Sequence, residues 1–343
     1  MSSDTASNWA VGGTATVVLA AVLSATLIIV LRPWLRHYAL ARPNARSSHR
    51  EPTPQGGGIA VVAATILTAW AASNYYALGS LNGMPSAAVF GAAVLIACVG
   101  AVDDIRPLAV LPRLLLQAIA VAIVIHALPD QLRIFSSWPW WFERVFLLIG
   151  GLWFVNLVNF MDGIDWMTVA EVVPLTGALA VIGALGALPA YGIIVALALG
   201  GAMLGFGYFN RPVAKLFLGD VGSLSIGLIL GWLLVLVAGS GHLVAAFLLP
   251  LYYLADTTIT LAQRAARREP IWKAHRTHFY QRATQHGRTV FEVVMRVLIV
   301  NVGLCALAVM TVILPGKGSE FTALLGGAIL VAWVLVAFAR ADK

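Results

Sequence analysis

Five short polar islands carry the side chains of this chain that can do chemistry. They read Pro52-Thr53-Pro54-Gln55-Gly56-Gly57-Gly58, Asp103-Asp104, Asn156-x-x-Asn159-x-x-Asp162-Gly163-x-Asp165, Phe217-Leu218-Gly219-Asp220-x-Gly222-Ser223 and His275-x-x-His278. Carboxylates beside a bilayer core are costly, so a greasy chain that keeps this many there uses them. Together the islands point to a divalent metal and a phosphorylated substrate at a membrane surface.

Each island has a functional and a structural reading. Adjacent carboxylates such as Asp103 and Asp104 repel, and both stay ionised only beside a cation or strong donors. As a plain helix C-terminus they would oppose the helix dipole. Asn156, Asn159, Asp162 and Asp165 are spaced by threes and would share one face if helical. Gly163 is expected to break that helix. Their oxygens suit a hard cation or ribose and base hydroxyls, although Asp165 alone can serve as a helix cap before Thr168. Gly219-Asp220-Val221-Gly222-Ser223 opens a helix, where exposed N–H groups suit a phosphate and Asp220 can hold a bridging metal. Phe217 can stack a base. A junction capped by Ser223 is the structural alternative. Gly56-Gly57-Gly58 admits either a ligand or another helix closely. His275-Arg276-Thr277-His278 lies in the most basic loop and can bind a diphosphate, or merely touch anionic headgroups. Asp256 is a lone intramembrane acid with no assigned catalysis. His126 and His242 read as interfacial, and His37, His49 and His286 as loop residues, His49 being close to the glycine-rich island.

The elements that must position these islands are apolar runs. The chain has 343 residues, 60% hydrophobic and 11% charged, against about 25% charged in soluble domains. Continuous runs of about 20 residues specify an all-α polytopic membrane protein and exclude an alternating β-barrel. Eleven spans are expected, at roughly 11–31, 57–78, 86–102, 110–128, 144–161, 166–186, 190–209, 223–240, 243–262, 290–314 and 321–339, within one domain covering 1–343. Glu171 and Pro174 interrupt the sixth. With the N-terminus outside, 18 of the 22 Lys and Arg residues fall on the inner side, which sets the N-terminus periplasmic and the C-terminus cytoplasmic. No basic residue precedes the first span, so it reads as a retained helix. Trp138, Trp140, Trp141 and Phe142 form an interfacial aromatic belt on the outer side. Cys98 and Cys305 lie in apolar runs and read as packing residues. The net charge of +7 reports topology, not nucleic-acid binding. This orientation brings every island to the cytoplasmic face.

These motifs in this order resemble the polyprenyl-phosphate N-acetylhexosamine-1-phosphate transferases, glycosyltransferase family 4. The resemblance covers nearly the whole chain. It is nearest the branch that initiates O-antigen or lipopolysaccharide, through Ser47-Ser48-His49 leading to the Pro52–Gly58 island and through His275-Arg276-x-His278-x-Tyr280-Gln281. It is also similar to the phospho-MurNAc-pentapeptide translocase. The resemblance implies a bacterial inner-membrane enzyme with a cytoplasmic cleft. Such an enzyme moves a sugar 1-phosphate from a UDP-N-acetylhexosamine to undecaprenyl phosphate, releases UMP, and uses Mg²⁺ with Mn²⁺ as a substitute. Membrane lipids surround it, and a homodimer is allowed but not specified. Asp220, with Asp104, falls where metal is held. Asp103, Asp104, Asp162, His275 and His278 fall at catalytic positions. Asn156, Asn159, Asp165, Asn210, Phe217, Gly219, Arg276 and His49 fall at substrate-binding positions.

The chain departs from that pattern at three places. Pro107 stands where a third polar residue often follows the aspartate pair, Trp166 stands where glycine often follows the second aspartate, and His-Arg-Thr-His is sparser than the translocase's histidine cluster. The last argues against a pentapeptide-bearing substrate. A secondary transporter is the competing class, but transporter sites lie near the bilayer midplane, whereas these acids cluster at one edge. A lipid-binding scaffold would not need so many carboxylates opposite a basic loop.

Overall fold

A computed structural model describes residues 3–41, 52–75, 85–270 and 275–340. The helices are α1 (Ser3–Tyr38), α2 (Gly58–Tyr75), α3 (Pro85–Ile105), α4 (Val110–His126), α5 (Trp140–Met161), α6 (Met167–Ala184) and α7 (Ala190–Asn210). They continue as α8 (Asp220–Gly239), α9 (Leu243–Leu248), α10 (Leu251–Ala266), α11 (Phe279–Gln285), α12 (Val290–Ile313) and α13 (Lys317–Ala339). Among the described residues, nine helices are long and apolar enough to cross a membrane, and α4 is a shorter apolar one. The protein is an all-α polytopic membrane protein.

Each of the eleven expected spans has a helical counterpart, with two adjustments. The first helix is longer than expected, and its last turn holds His37 instead of leaving it in a loop. The ninth span is two helices, α9 and α10, separated at Leu249-Pro250. Proline supplies no N–H, so Ala246 loses its i+4 backbone donor at this point. The sixth span stays intact despite Pro174. Proline strips Ala170 of its normal i+4 donor, and Asn301 Nδ2 from α12 replaces it at 3.0 Å.

Two helices organise the bundle. α7 packs on α1, α2 and α6, and α8 packs on α2, α3, α5 and α9. α8 is buried along almost its whole length, with Leu224, Ile226, Ile229 and Leu233 at 0–1% exposure. A helix apolar on every side belongs at the centre of such a bundle. The only strands among the described residues are β1 (Leu40–Ala41) and β2 (Thr53–Pro54), paired antiparallel with Leu40 opposite Pro54. That ribbon delivers the glycine-rich island to the start of α8.

The start of α8 is approached by bare backbone. A Cβ on Gly58 would overlap the backbone of Gly222, and one on Gly100 would overlap Asp220 and Val221. The glycine-rich island therefore admits a neighbouring helix. Gly91, on the same helix as Gly100, has nothing within 4 Å of its Cβ position. Gly100→Ala should lower stability by about 1–3 kcal/mol through overpacking, while Gly91→Ala should be neutral or slightly stabilising. Thermal unfolding of the two detergent-solubilised variants checks this.

Candidate functional site

α8 begins on a carboxylate from another helix. Asp104, at the end of α3, accepts the N–H of Asp220 at 3.0 Å through Oδ1 and that of Val221 at 3.3 Å through Oδ2. It caps the helix in place of a local side chain, and it offsets the positive end of the α8 dipole. Gly219 precedes the helix with φ +78, and a Cβ there would press onto Asp104 Oδ2. This explains both the acid at a helix C-terminus and the glycine before Asp220. Ser223 Oγ bonds back to Gly219 O at 3.2 Å and does not cap the helix N–H groups.

A second layer of polar groups converges on Asp220. Its Oδ1 accepts from Asn159 Nδ2 of α5 at 2.8 Å, and the same amide reaches Ser223 Oγ at 2.9 Å. The Asp103 and Asp220 carboxyl groups meet side by side. Asp103 also accepts from Leu108 N at 2.6 Å and from Arg113 Nη1 at 2.8 Å. Arg113 Nη1 lies 3.9 Å from Asp220 Oδ2. Asp103 and Asp220 thus share one guanidinium, and Asp104 adds a third carboxyl group beside them, an excess of negative charge that favours a cation. Among the described residues no three His, Cys, Asp or Glu side chains form a complete metal-binding set. Arg113 was read from sequence only as a topology marker. Its signal was its place one helix turn into the span that follows the aspartate pair.

The Asp162–Trp166 turn joins α5 to α6. Asp162 ends α5, and its Oδ1 accepts from Thr168 Oγ1 at 2.5 Å. Burial pushes its carboxyl up to about 7, and the charges of Asp104 and Asp165 add to the rise. A carboxyl poised near neutrality can both take and return a proton. Asp165 is buried and accepts from Ala214 N at 2.9 Å, which ties the turn to the α7–α8 loop. Trp166, not Asp165, holds the cap position of α6, at φ 63. That left-handed backbone is natural for glycine and unfavourable for tryptophan. The ring offsets the strain by donating Nε1–H to Gly207 O at 2.6 Å, while its backbone N–H reaches Asn210 Oδ1 at 2.8 Å.

The glycine-rich island lies against the Phe217 segment as extended backbone. Phe217 N donates to Pro54 O at 2.9 Å, Gly57 N to Phe217 O at 2.9 Å, and Gly58 N to Leu218 O at 2.8 Å. Gln55 Nε2 adds a bond to Asp104 O at 2.7 Å. The Phe217 ring remains half-buried.

The histidine loop is organised by Asp256, whose role the sequence left open. The Asp256 side chain is wholly buried and accepts from His278 Nδ1 at 3.1 Å, Phe279 N at 3.1 Å, Tyr280 N at 3.3 Å and Tyr252 Oη at 3.1 Å. It therefore fixes the start of α11 and orients the His278 ring. His275 stacks on His278 with centroids 5.0 Å apart. Tyr280 Oη donates to Phe160 O at 3.0 Å, and a Cβ on Gly163 would collide with that hydroxyl. The loop thus abuts the Asp162 turn. Arg276 borders a polar cavity with Arg264, Arg267 and Arg282.

The structure brings together Asp103, Asp104, Asn159, Gly219 and Asp220, with Asp162 and the histidine loop adjoining. Asn156 and Asn210 turn elsewhere. Asn156 Nδ2 donates to Gln117 Oε1 at 2.7 Å inside the bundle, and Asn210 Nδ2 donates to Leu216 O at 3.0 Å. Helix α5 ends at Met161, so the four residues spaced by threes do not share one helical face. His49 lies outside the described residues. Asp256→Ala would leave those four buried donors without this acceptor and should cost about 2–5 kcal/mol. Faster proteolysis between α10 and α11, with a lower unfolding temperature, is the expected readout.

The sequence is similar to those of known proteins. The model of glycosyl transferase family 4 matches residues 86–238. A probable undecaprenyl-phosphate N-acetylglucosaminyl 1-phosphate transferase of Bacillus subtilis is 25% identical over 292 residues, covering 79% of this chain and 78% of the relative. A decaprenyl-phosphate N-acetylglucosaminephosphotransferase of Mycolicibacterium smegmatis is 27% identical over 349 residues, covering 88% and 82%. A phospho-N-acetylmuramoyl-pentapeptide-transferase of Streptococcus gordonii is 30% identical over 239 residues, covering 62% and 71%. With the carboxylate-capped helix and its converging acids, these matches establish that the chain belongs to glycosyl transferase family 4.

Proposed function

We propose that this protein transfers an N-acetylhexosamine 1-phosphate from a UDP-sugar to undecaprenyl phosphate, releasing UMP. The product would begin a lipid-linked envelope glycan, of the O-antigen or lipopolysaccharide kind, at the inner face of a bacterial cytoplasmic membrane. The observation that carries this reading is the meeting of Asp103, Asp104, Asn159 and Asp220 beside Arg113 at one end of the bundle. The names of the relatives support the same reaction type.

The donor set fits Mg²⁺, which is commonly held by one or two carboxylates together with substrate phosphates instead of a full protein cage. Asp104 already gives both oxygens to α8, and Asp103 gives both to Leu108 and Arg113. Asp220 Oδ2 is the most lightly engaged oxygen of the group, with Arg113 Nη1 at 3.9 Å. Asp220 is therefore the principal ligand in this reading, with Asp104 holding its helix and adjoining the metal. When bound, the metal neutralises the diphosphate and the departing UMP.

The side chains divide the remaining work. Arg113 attracts the phosphate of the lipid acceptor. Asp162 takes a proton from that phosphate. An acceptor oxygen attacks the sugar-linked phosphorus, the bond to the UMP oxygen breaks, and His278 and Arg276 stabilise the charge that leaves. Asn159 keeps Asp220 oriented throughout. A cavity of about 230 Å³, lined by Val121, Val124, Phe154, Val155 and Leu228 among other apolar groups, runs along the same helices. Val155 lies one turn, about 6 Å, from Asn159 along α5. Such a greasy channel beside the acids suits an isoprenoid tail.

Purified protein given undecaprenyl phosphate and a panel of UDP-sugars should release UMP only with Mg²⁺ or Mn²⁺. Asp220→Ala should reduce kcat by at least about 10³, and unchanged turnover in that variant would contradict the metal assignment. Val155→Trp should raise KM for the lipid while leaving KM for the UDP-sugar unchanged. Equal effects on both substrates would remove the cavity from the acceptor site.

A further inference from the structure

One buried acid is unused by this mechanism. Glu171 lies one turn into α6, is 2% exposed and has no basic partner among the described residues. Its Oε2 accepts from Asn301 Nδ2 of α12 at 2.7 Å. Asn301 is 1% exposed, and its Nδ2 also serves Ala170 O, the carbonyl that Pro174 leaves without a helical donor. Two atoms of this pair lack any partner, Glu171 Oε1 and Asn301 Oδ1. Both are acceptors if the glutamate is ionised, and two buried acceptors without donors inside a bilayer are doubly unfavourable. A single proton on Oε1 turns it into a donor and gives Oδ1 a hydrogen bond. The side chains then form a closed acid–amide pair with two parallel bonds, and both unpartnered atoms are accounted for.

We propose that Glu171 is held as a neutral carboxylic acid paired with the Asn301 amide, and that this pair is a positioning element for the Asp162 turn. The placement supports the second part. Thr168, which donates to Asp162, lies three residues before Glu171 and on the same face of α6. Fixing Glu171 to α12 therefore fixes the helix face that holds Asp162. The other titratable groups facing Glu171 are Tyr253 of α10 and Cys305 of α12. Neither carries positive charge in any state, so neither favours the carboxylate. The positioning role rests on the proposed reaction, whereas the neutral acid–amide pair does not.

The two parts are tested separately on the full chain in nanodiscs. Infrared difference spectra between the unaltered protein and Glu171→Gln should show, at neutral pH, a protonated-carboxyl C=O band that belongs to Glu171. Its absence at neutral pH would overturn the neutral pair whether or not the protein has transferase activity. In the transferase assay, Glu171→Gln can rebuild two parallel bonds and should keep kcat within about threefold at every pH. Glu171→Leu should lower kcat about tenfold or more, with KM for the UDP-sugar little changed. A Gln variant as impaired as the Leu variant, or a Leu variant with full kcat, would overturn the positioning role.

Discussion

The carboxylate of Asp104 on the N-terminus of α8 is the contact on which the rest of the site depends. It joins the end of α3 to the start of α8 across 116 residues of sequence. A helix start left inside the bundle would expose N–H groups to nothing, so the central helix could not begin where it does without this acid. Once α8 begins there, Asp220 is in its first turn, Asn159 can reach it, and Gly219 must be free of a side chain. Asp104 thus sets the geometry whatever further part it takes in metal binding. The same contact explains why two aspartates sit at a helix end where the dipole disfavours them. Asp104 answers to the dipole of a different helix.

Most of the architecture was legible from hydropathy, because span length and polar interruption follow directly from the bilayer. What escaped were places where one residue's neighbours are far away in sequence. Pro250 stands at the break between α9 and α10, whereas at Pro174 the helix continues and Asn301 from α12 supplies the missing donor. No local pattern distinguishes the two prolines. The acids were recognisable as a group, yet the spacing by threes suggested one helical face for Asn156 through Asp165. The helix ends at Met161, and each of the four then acquires its own environment.

The same limit applies to residue roles. Asn156 and Asn210 look like ligand groups in a sequence, because a carboxamide beside acids suits a nucleotide. In the fold they tie helices and loops together, Asn156 to Gln117 and Asn210 to Trp166 and Leu216. Asp256 looked isolated and instead organises the whole histidine loop. Arg113 carried a signal of its own, a cation in the first turn of the span that follows the aspartate pair, and it entered only the count of positive charges. Trp166 shows the reverse case. It stands out in the sequence as a departure from a glycine pattern, and its indole is directed onto the backbone of α7.

The glycine contacts under the carboxylates have a wider bearing. Gly58, Gly100 and Gly222 let α2, α3 and α8 meet backbone to backbone, with no side chain left between them to trim or enlarge. That floor is incompressible. Any change in the shape of the acid cluster above it must therefore come from the side chains around the cluster, because the floor offers none to exchange.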